Sequence, residues 1–299
     1  MLEFEPIKLS DKSWIDPIVR AENSRSADYS FANIYIWDNR FKQQVARCSQ
    51  RFIVMPTYEE KPFFAYPVGS GDLMPVIEEM RAYAESRGFP FVMRGVTSEH
   101  VRELNSLFPG KFDFYENRDY FDYVYSAEKL ATLSGKKLHG KRNHINRFVE
   151  NNDWSFEPLT TRQIPECMAM LEEWSEENMD KLDRDLSDEH DAIVRAFEHF
   201  ERLGLEGGIL RSGGRLIAFT VGEKISSDTY DIHFEKAYAH IQGAYPMINR
   251  EFVRHIRKLY PEIAYINRED DMGRENLRQA KLSYYPEFLI EKFTAEWRY

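Results

Sequence analysis

The sequence predicts an α/β chain of two lobes, each a mixed, mostly antiparallel sheet flanked by helices. Three observations carry that reading. The chain has 299 residues, about twice the length that one domain core usually organises. Short β-type apolar runs alternate with amphipathic helical stretches in both halves. No low-complexity linker interrupts them, so the lobes are expected to pack together. The spacing divides the chain into a first lobe at 1–125, a basic junction at 126–151 and a second lobe at 152–299.

In the first lobe, Phe4 to Leu9 reads as a strand, and Ser10 and Asp11 are N-cap candidates for a helix carrying Trp14, Ile15 and Ile18. Ser30 to Trp37 has apolar residues at helical spacing. Phe41 to Arg47, Arg51 to Pro56 and Pro62 to Val68 read as strands. Asp72 caps a helix bearing Val76, Ile77, Met80 and Tyr83, which ends near Gly88. Phe89 to Met93 is a strand, Ser98 to Phe108 a helix, and Lys111 to Tyr115 and Tyr120 to Tyr125 two more strands. In the junction, Leu138, Ile145, Phe148 and Val149 form an apolar stripe, which predicts a helix with basic outer faces.

The second lobe has a cleaner order. A strand at Trp154 to Leu159 precedes helices from Ile164 to about Met179 and from Asp188 to Leu203. Strands Leu205 to Arg211 and Arg215 to Lys224 flank a Ser212-Gly213-Gly214 turn, and a third strand runs from Thr229 to Glu235. A helix at Ala244 to Leu259, a strand at Ile263 to Asn267, a helix at Arg274 to Leu282 and a closing strand at Phe288 to Phe293 complete it. This order resembles that of the acyl-CoA N-acyltransferase (GNAT) fold, and the first lobe follows a looser version of the plan.

Composition narrows the function classes. The hydrophobic share is 42% and the charged share 30%, as in soluble globular proteins. A net charge of −10 argues against a surface that grips nucleic acid or anionic lipid all over, though not against a local basic patch. The cysteines, Cys48 and Cys167, are far apart, which gives neither a disulfide framework nor a cysteine metal site. The N-terminal residues lack the basic and apolar regions of a signal peptide, and no apolar run approaches the roughly 18 residues of a membrane span. A cytoplasmic protein is expected.

Three segments of the second half, with the junction, could carry chemistry. Lys136 to Arg147 holds five Lys/Arg, two His and no acid. On a helix Lys137, Lys141 and His144 share a face, suited to phosphate, with Arg142 or Arg147 as a bidentate fork. A solvated face pairing with neighbouring acids is the alternative. Strand alternation sets Asp231, His233 and Glu235 on one face, where ionisable groups are costly to bury without partners and a carboxylate beside an imidazole suits proton transfer. A structural polar cluster is the alternative there. Gln242 and Gly243 open a helix, whose free N–H groups attract anions and whose glycine permits close approach. Asn267 ends a strand, the position at which open α/β sheets bind ligands. Arg278 and Lys281 follow on the next helix, and Tyr284 or Tyr285 is placed to donate a proton. Glu269, Asp270 and Asp271 have the chemistry to hold Mg²⁺, but such a turn is usually solvated and no metal is predicted. The HExxH, GxSxG, P-loop and GxGxxG motifs do not occur.

Tyr123 to Tyr125, the Leu133 to Arg147 stretch with its Lys-Arg-Asn-His passage including Asn143, Asn267 with its acidic loop, and Lys281 to Pro286 together resemble the C-terminal domain of phosphatidylglycerol lysyltransferases and their stand-alone relatives. The resemblance spans nearly the whole chain. It implies a tandem GNAT-like architecture akin to Fem-type aminoacyl transferases, which take an aminoacyl group from charged tRNA to an amine or a lipid hydroxyl. The GNAT acetyl-CoA signature is not intact at Gln242, which weakens acyl-CoA as donor. The sequence therefore reads as a direct acyl or aminoacyl transferase needing no cofactor. Its donor is aminoacyl-tRNA or acyl-CoA, and its acceptor a small molecule, peptide or lipid bearing an amine or hydroxyl. Glu235 or His233 is cast as base, Asp231 as orienting group, Tyr284 or Tyr285 as acid, and Lys281 and Arg278 as charge neutralisers. A non-catalytic module binding an anionic or aminoacyl ligand is the alternative.

Overall fold

The computed structural model describes residues 2–177 and 184–299, so the expected helix end at Met179 lies outside the described residues. The chain divides into two compact units. One comprises Met1–Asp122, Asp270–Glu275 and Leu289–Tyr299, the other Tyr123–Glu269 and Asn276–Phe288. The division departs from the expected boundaries, because the chain returns to the first unit twice after entering the second.

In the first unit a sheet runs Glu5–Pro6, Gln44–Cys48, Arg51–Met55, Val68–Gly69 in spatial order. A second sheet places Lys292–Trp297 between Val92–Thr97 and Phe112–Glu116, antiparallel to both. The closing strand expected at Phe288 to Phe293 is therefore two strands, Phe288–Ile290 and Lys292–Trp297, in different sheets. Two attachments fix the second of them here. Trp297 packs edge-on against Phe112 at 5.0 Å between centroids, and buried Lys292 donates to Asp28 and Asp122, each at 2.7 Å. Helices Leu73–Arg87 and Ser98–Leu107 start where their caps dictate: Asp72 accepts from the Met74 N–H and Thr97 from the His100 N–H.

The second unit is built on a seven-stranded sheet. Its order is Trp154–Pro158, Glu206–Ser212, Arg215–Lys224, Thr229–Ala237, Tyr265–Asn267, Asp122–Ser126, Phe288–Ile290. Thr229–Ala237 and Tyr265–Asn267 are parallel. The Gly213-Gly214 hairpin has both residues at positive φ, 55° and 81°, which a two-residue turn between twisted strands requires. Helix Ala244–Leu259 buries Met247, Ile248, Phe252, Val253 and Ile256, with Phe252 edge-on to Tyr230 of the central strand at 5.8 Å. The junction is broken rather than one helix: Ala127–Thr132 stops at Leu133, whose φ is 50°, and His139–Asn151 follows. Between the pairs Val221/Phe234 and Gly222/Ile232 the register skips His233, a β-bulge that bends the strand Thr229–Ala237 at that residue. Among the described residues, no helix is long and apolar enough to cross a membrane.

Candidate active site

The strand Thr229–Ala237 does not deliver its three ionisable side chains to one cluster. Asp231 and His233 join one group, and Glu235 another.

The first group surrounds the imidazole of His233, whose side chain is fully buried. Glu269 Oε1 lies 2.9 Å from Nδ1, Asp231 Oδ2 lies 3.1 Å from the same nitrogen, and Glu223 Oε1 lies 3.2 Å from Nε2. Sheet register produces the convergence, since Asp231 is paired with Glu223 on one side and with Asn267 on the other. Asn267 is fully buried, and its Oδ1 accepts from the Glu269 N–H at 2.7 Å, steering the next carboxylate toward the ring. Burial works against a charged His233, but the charge of Asp231 and the bonds to all three acids overcome it and hold the imidazole well above its ordinary value. Burial and the nearby Asp231 charge push Glu269 up to about 7, against the pull of His233 and Lys281. Asp231, His233 and Glu269 each place a ligand atom within 4.8 Å of the others, a set able to hold a metal ion.

The second group centres on Glu235. Its Oε1 accepts from Arg268 Nη2 at 3.0 Å and its Oε2 from Asn249 Nδ2 at 2.9 Å. The Arg268 guanidinium lies 5.0 Å from the centroid of the Tyr284 ring, and Lys141 Nζ lies 4.0 Å from that centroid. Tyr125 donates its hydroxyl to the Lys281 carbonyl at 2.9 Å, and Lys281 Nζ donates to the Arg268 carbonyl at 2.5 Å. Lys281 thus braces the backbone of Arg268. Burial, and then the Arg268 charge, push Lys141 down to about 8, with Glu235 acting the other way. Burial raises the Tyr284 phenol above its ordinary value although Arg268 pulls it down, so the hydroxyl stays protonated. Two cations face one carboxylate here, leaving one positive charge in excess.

Other expected residues lie apart from these groups or are occupied locally. Arg142 donates to the carbonyls of Leu133 and Gly135, closing the junction turn instead of holding an anion. Asn143 is exposed and bonds with His139, and Lys137 and Arg147 are exposed. Tyr285 is 47% exposed, with Lys137 Nζ 5.2 Å from its ring centroid. Arg278 is half-buried and Gln242 exposed. A Cβ on Gly243 would stand 2.5 Å from the His144 carbonyl oxygen and 2.8 Å from Phe148 Cβ, so this glycine admits the junction helix rather than a ligand. Asp271, expected in a solvated turn, is fully buried and near Arg118 at 3.5 Å.

Sequence reasoning passed over Arg268, Asn249 and Glu223. Asn249 did leave a signal, as the one amide on the apolar face that runs Met247, Ile248, Phe252, Val253. Arg268, following a buried strand end, left another.

The family model for the C-terminal region of phosphatidylglycerol lysyltransferase matches residues 20–296. The chain belongs to this family. A conserved protein of unknown function from Bacteroides thetaiotaomicron is 38% identical, with a TM-score of 0.95 and full coverage of both chains. L-PGS from Bacillus licheniformis, 15% identical, superposes with a TM-score of 0.66 over 98% of this chain and 92% of that one. A tandem GNAT protein from the clavulanic acid biosynthesis pathway, 11% identical, gives 0.50 over 99% and 98%. The fold is thus the tandem GNAT-like arrangement of lysyltransferase C-terminal domains. An uncharacterized protein of Mycoplasmoides gallisepticum is 27% identical over 179 residues, 58% of this chain and 54% of that protein, so the match spans about half the length of that relative.

Proposed function

We propose that this member of the lysyltransferase family moves an aminoacyl group from aminoacyl-tRNA to a hydroxyl or amine acceptor by direct attack, with Lys141, Arg268 and Glu235 at the centre. The carrying observation is the pair of cations, Lys141 and Arg268, over one Tyr284 ring with the single carboxylate Glu235 between partners. These groups hold a buried positive excess when Lys141 is protonated, so the excess arises as Lys141 takes up the nucleophile's proton and matches the oxyanion formed in that same step.

The step balances on these residues. Neutral Lys141 accepts the proton of the attacking hydroxyl or amine, and the nucleophile forms its bond to the ester carbonyl carbon. The carbonyl oxygen becomes an oxyanion beside Arg268, which Glu235 and the Lys281 brace hold in place. The bond to the ribose oxygen then breaks, and Lys141 gives that oxygen the proton it took from the nucleophile. A group pushed down to about 8 suits both transfers near neutral pH. His233 is not given the base role, because carboxylates occupy both of its nitrogens.

The choice of tRNA over acyl-CoA has a local support as well. The helix start at Gly243, where a CoA pyrophosphate would be expected, is packed by His144 and Phe148 of the chain itself. The exposed cations Lys137 and Arg147 lie on the same basic stretch as Lys141 and are available to a longer polyanion.

The test is transfer from radiolabelled aminoacyl-tRNA to phosphatidylglycerol vesicles and to soluble hydroxyl and amine acceptors, with acyl-CoA in parallel. Transfer that Lys141→Met abolishes, and that weakens steeply with salt, is expected. Turnover of acyl-CoA alone, or ligand binding without turnover of any donor, would overturn the proposal.

A further inference from the structure

We infer that Asp231, His233 and Glu269 form a binding site for a divalent first-row transition cation, with Glu223 fixing the imidazole from its far side. The inference is independent of the transfer reading, since none of the four residues takes a step in it.

Stoichiometry at Nδ1 is the first argument. That nitrogen carries at most one hydrogen, yet Glu269 Oε1 at 2.9 Å and Asp231 Oδ2 at 3.1 Å both converge on it. A single N–H serves one carboxylate well. A dication at the point of convergence serves both, taking the nitrogen lone pair and one oxygen from each acid.

Geometry is the second. Ligand atoms bound tetrahedrally at about 2.0–2.1 Å stand about 3.3 Å apart. The observed separations from Nδ1 need to open by only a few tenths of an ångström. The third argument is the far nitrogen: Glu223 Oε1 lies 3.2 Å from Nε2, and a metal-bound imidazole usually gives its other N–H to a carboxylate, which fixes the tautomer and strengthens the ligand. Burial is the fourth. Asp231 and His233 have fully buried side chains, while that of Glu269 keeps 21% exposure, so the charged set is enclosed except on the Glu269 side, where an ion can enter. One imidazole nitrogen with two carboxylate oxygens is a mixed donor set that suits Zn²⁺ or Mn²⁺ better than a soft Cu⁺ or an all-oxygen Ca²⁺. On binding, the Nδ1 proton leaves to solvent.

The experiment uses the full chain, stripped with EDTA, dialysed, and titrated with ZnCl₂ by calorimetry and with MnCl₂ by electron paramagnetic resonance. One equivalent per chain, a heat that varies with the buffer's protonation enthalpy and a raised melting temperature are expected. Asp231→Asn and Glu269→Gln should each weaken binding at least about tenfold, and Glu223→Gln by roughly 10- to 100-fold with stoichiometry kept. Circular dichroism checks each variant. Should the ligand variants not fold, Glu223→Gln decides, because it leaves all three ligands in place. Failure of the wild-type chain to take up either ion at millimolar concentration overturns the inference, as does uptake that Glu223→Gln and the folded ligand variants leave unchanged.

Discussion

Arg268 donates from Nη2 to Glu235 Oε1 at 3.0 Å, and both side chains are largely shielded from solvent, at 14% and 8% exposure. A planar guanidinium held in this way presents its remaining donors in a fixed direction, which a lysine cannot do. Arg268→Lys should therefore retain the fold but lower the single-turnover transfer rate on the order of 10²- to 10³-fold, the usual loss when one preorganised oxyanion donor is removed. Rapid-quench measurement with labelled aminoacyl-tRNA checks this. A rate within threefold of wild type, allowing ~0.6 kcal/mol, would remove Arg268 from the step.

The pH profile should report Lys141. Burial and Arg268 push its ammonium down to about 8, so the neutral base fraction, and with it the transfer rate, should rise through pH 8 and level off above it. Lys141→Arg should abolish the rise. Stability carries the opposite side of the same linkage. Between about pH 8 and the ordinary lysine value, the unfolded chain binds more protons at this residue than the folded one, so its contribution makes the fold more stable as pH increases. Urea melts of wild type and Lys141→Met across that window should differ in slope, the variant lacking the upward component.

Tyr284 separates ring from hydroxyl. Its phenol stays protonated at neutral pH and has no part in the proposed proton path, whereas its ring carries Lys141 at 4.0 Å and Arg268 at 5.0 Å. Tyr284→Phe should keep the transfer rate and its pH profile. Tyr284→Leu removes a cation–π contact worth about 0.5–2 kcal/mol to the ammonium, so the break in the profile should move down by roughly 0.4 to 1.5 pH units. A large loss of rate in Tyr284→Phe would restore the tyrosine as the proton donor and sink the Lys141 shuttle.

How far these groups could be read from the sequence depends on their spacing. The helix Ala244–Leu259 and the strand Arg215–Lys224 have the limits expected from caps, periodicity and turn glycines. Strand alternation predicts one face for Asp231, His233 and Glu235, but the bulge at His233 breaks the alternation, and Glu235 turns to Asn249 on the helix Ala244–Leu259 that also packs on Tyr230. The partners likewise come from elsewhere in the chain: Glu223 and Glu269 for His233, Arg268 and Asn249 for Glu235. Register between strands is a long-range property that no local pattern carries. Arg142 shows the converse limit. Its charge suited an anion, but the nearest acceptors were two carbonyls of its own turn, within nine residues. The return of Lys292–Trp297 to the first unit was hidden for the same reason, since Lys292 gives no sign in sequence of Asp28, which lies 264 positions away.

That returning strand supports a last prediction. Lys292 is buried with Asp28 and Asp122 as its partners, each at 2.7 Å, and their two charges outweigh the burial that would otherwise discharge the lysine. Lys292→Met fills the space but leaves those carboxylates without their shared cation, and breaking a buried pair by removing one partner costs about 3–5 kcal/mol. Urea unfolding should show that loss. Adding Asp28→Asn to the variant should recover part of it, because one of the stranded charges is then gone and the two substitutions couple through the same contact. If the double variant is instead less stable by the sum of the two single losses, the lysine is not what binds this strand to its sheet, and the Trp297–Phe112 contact carries the attachment.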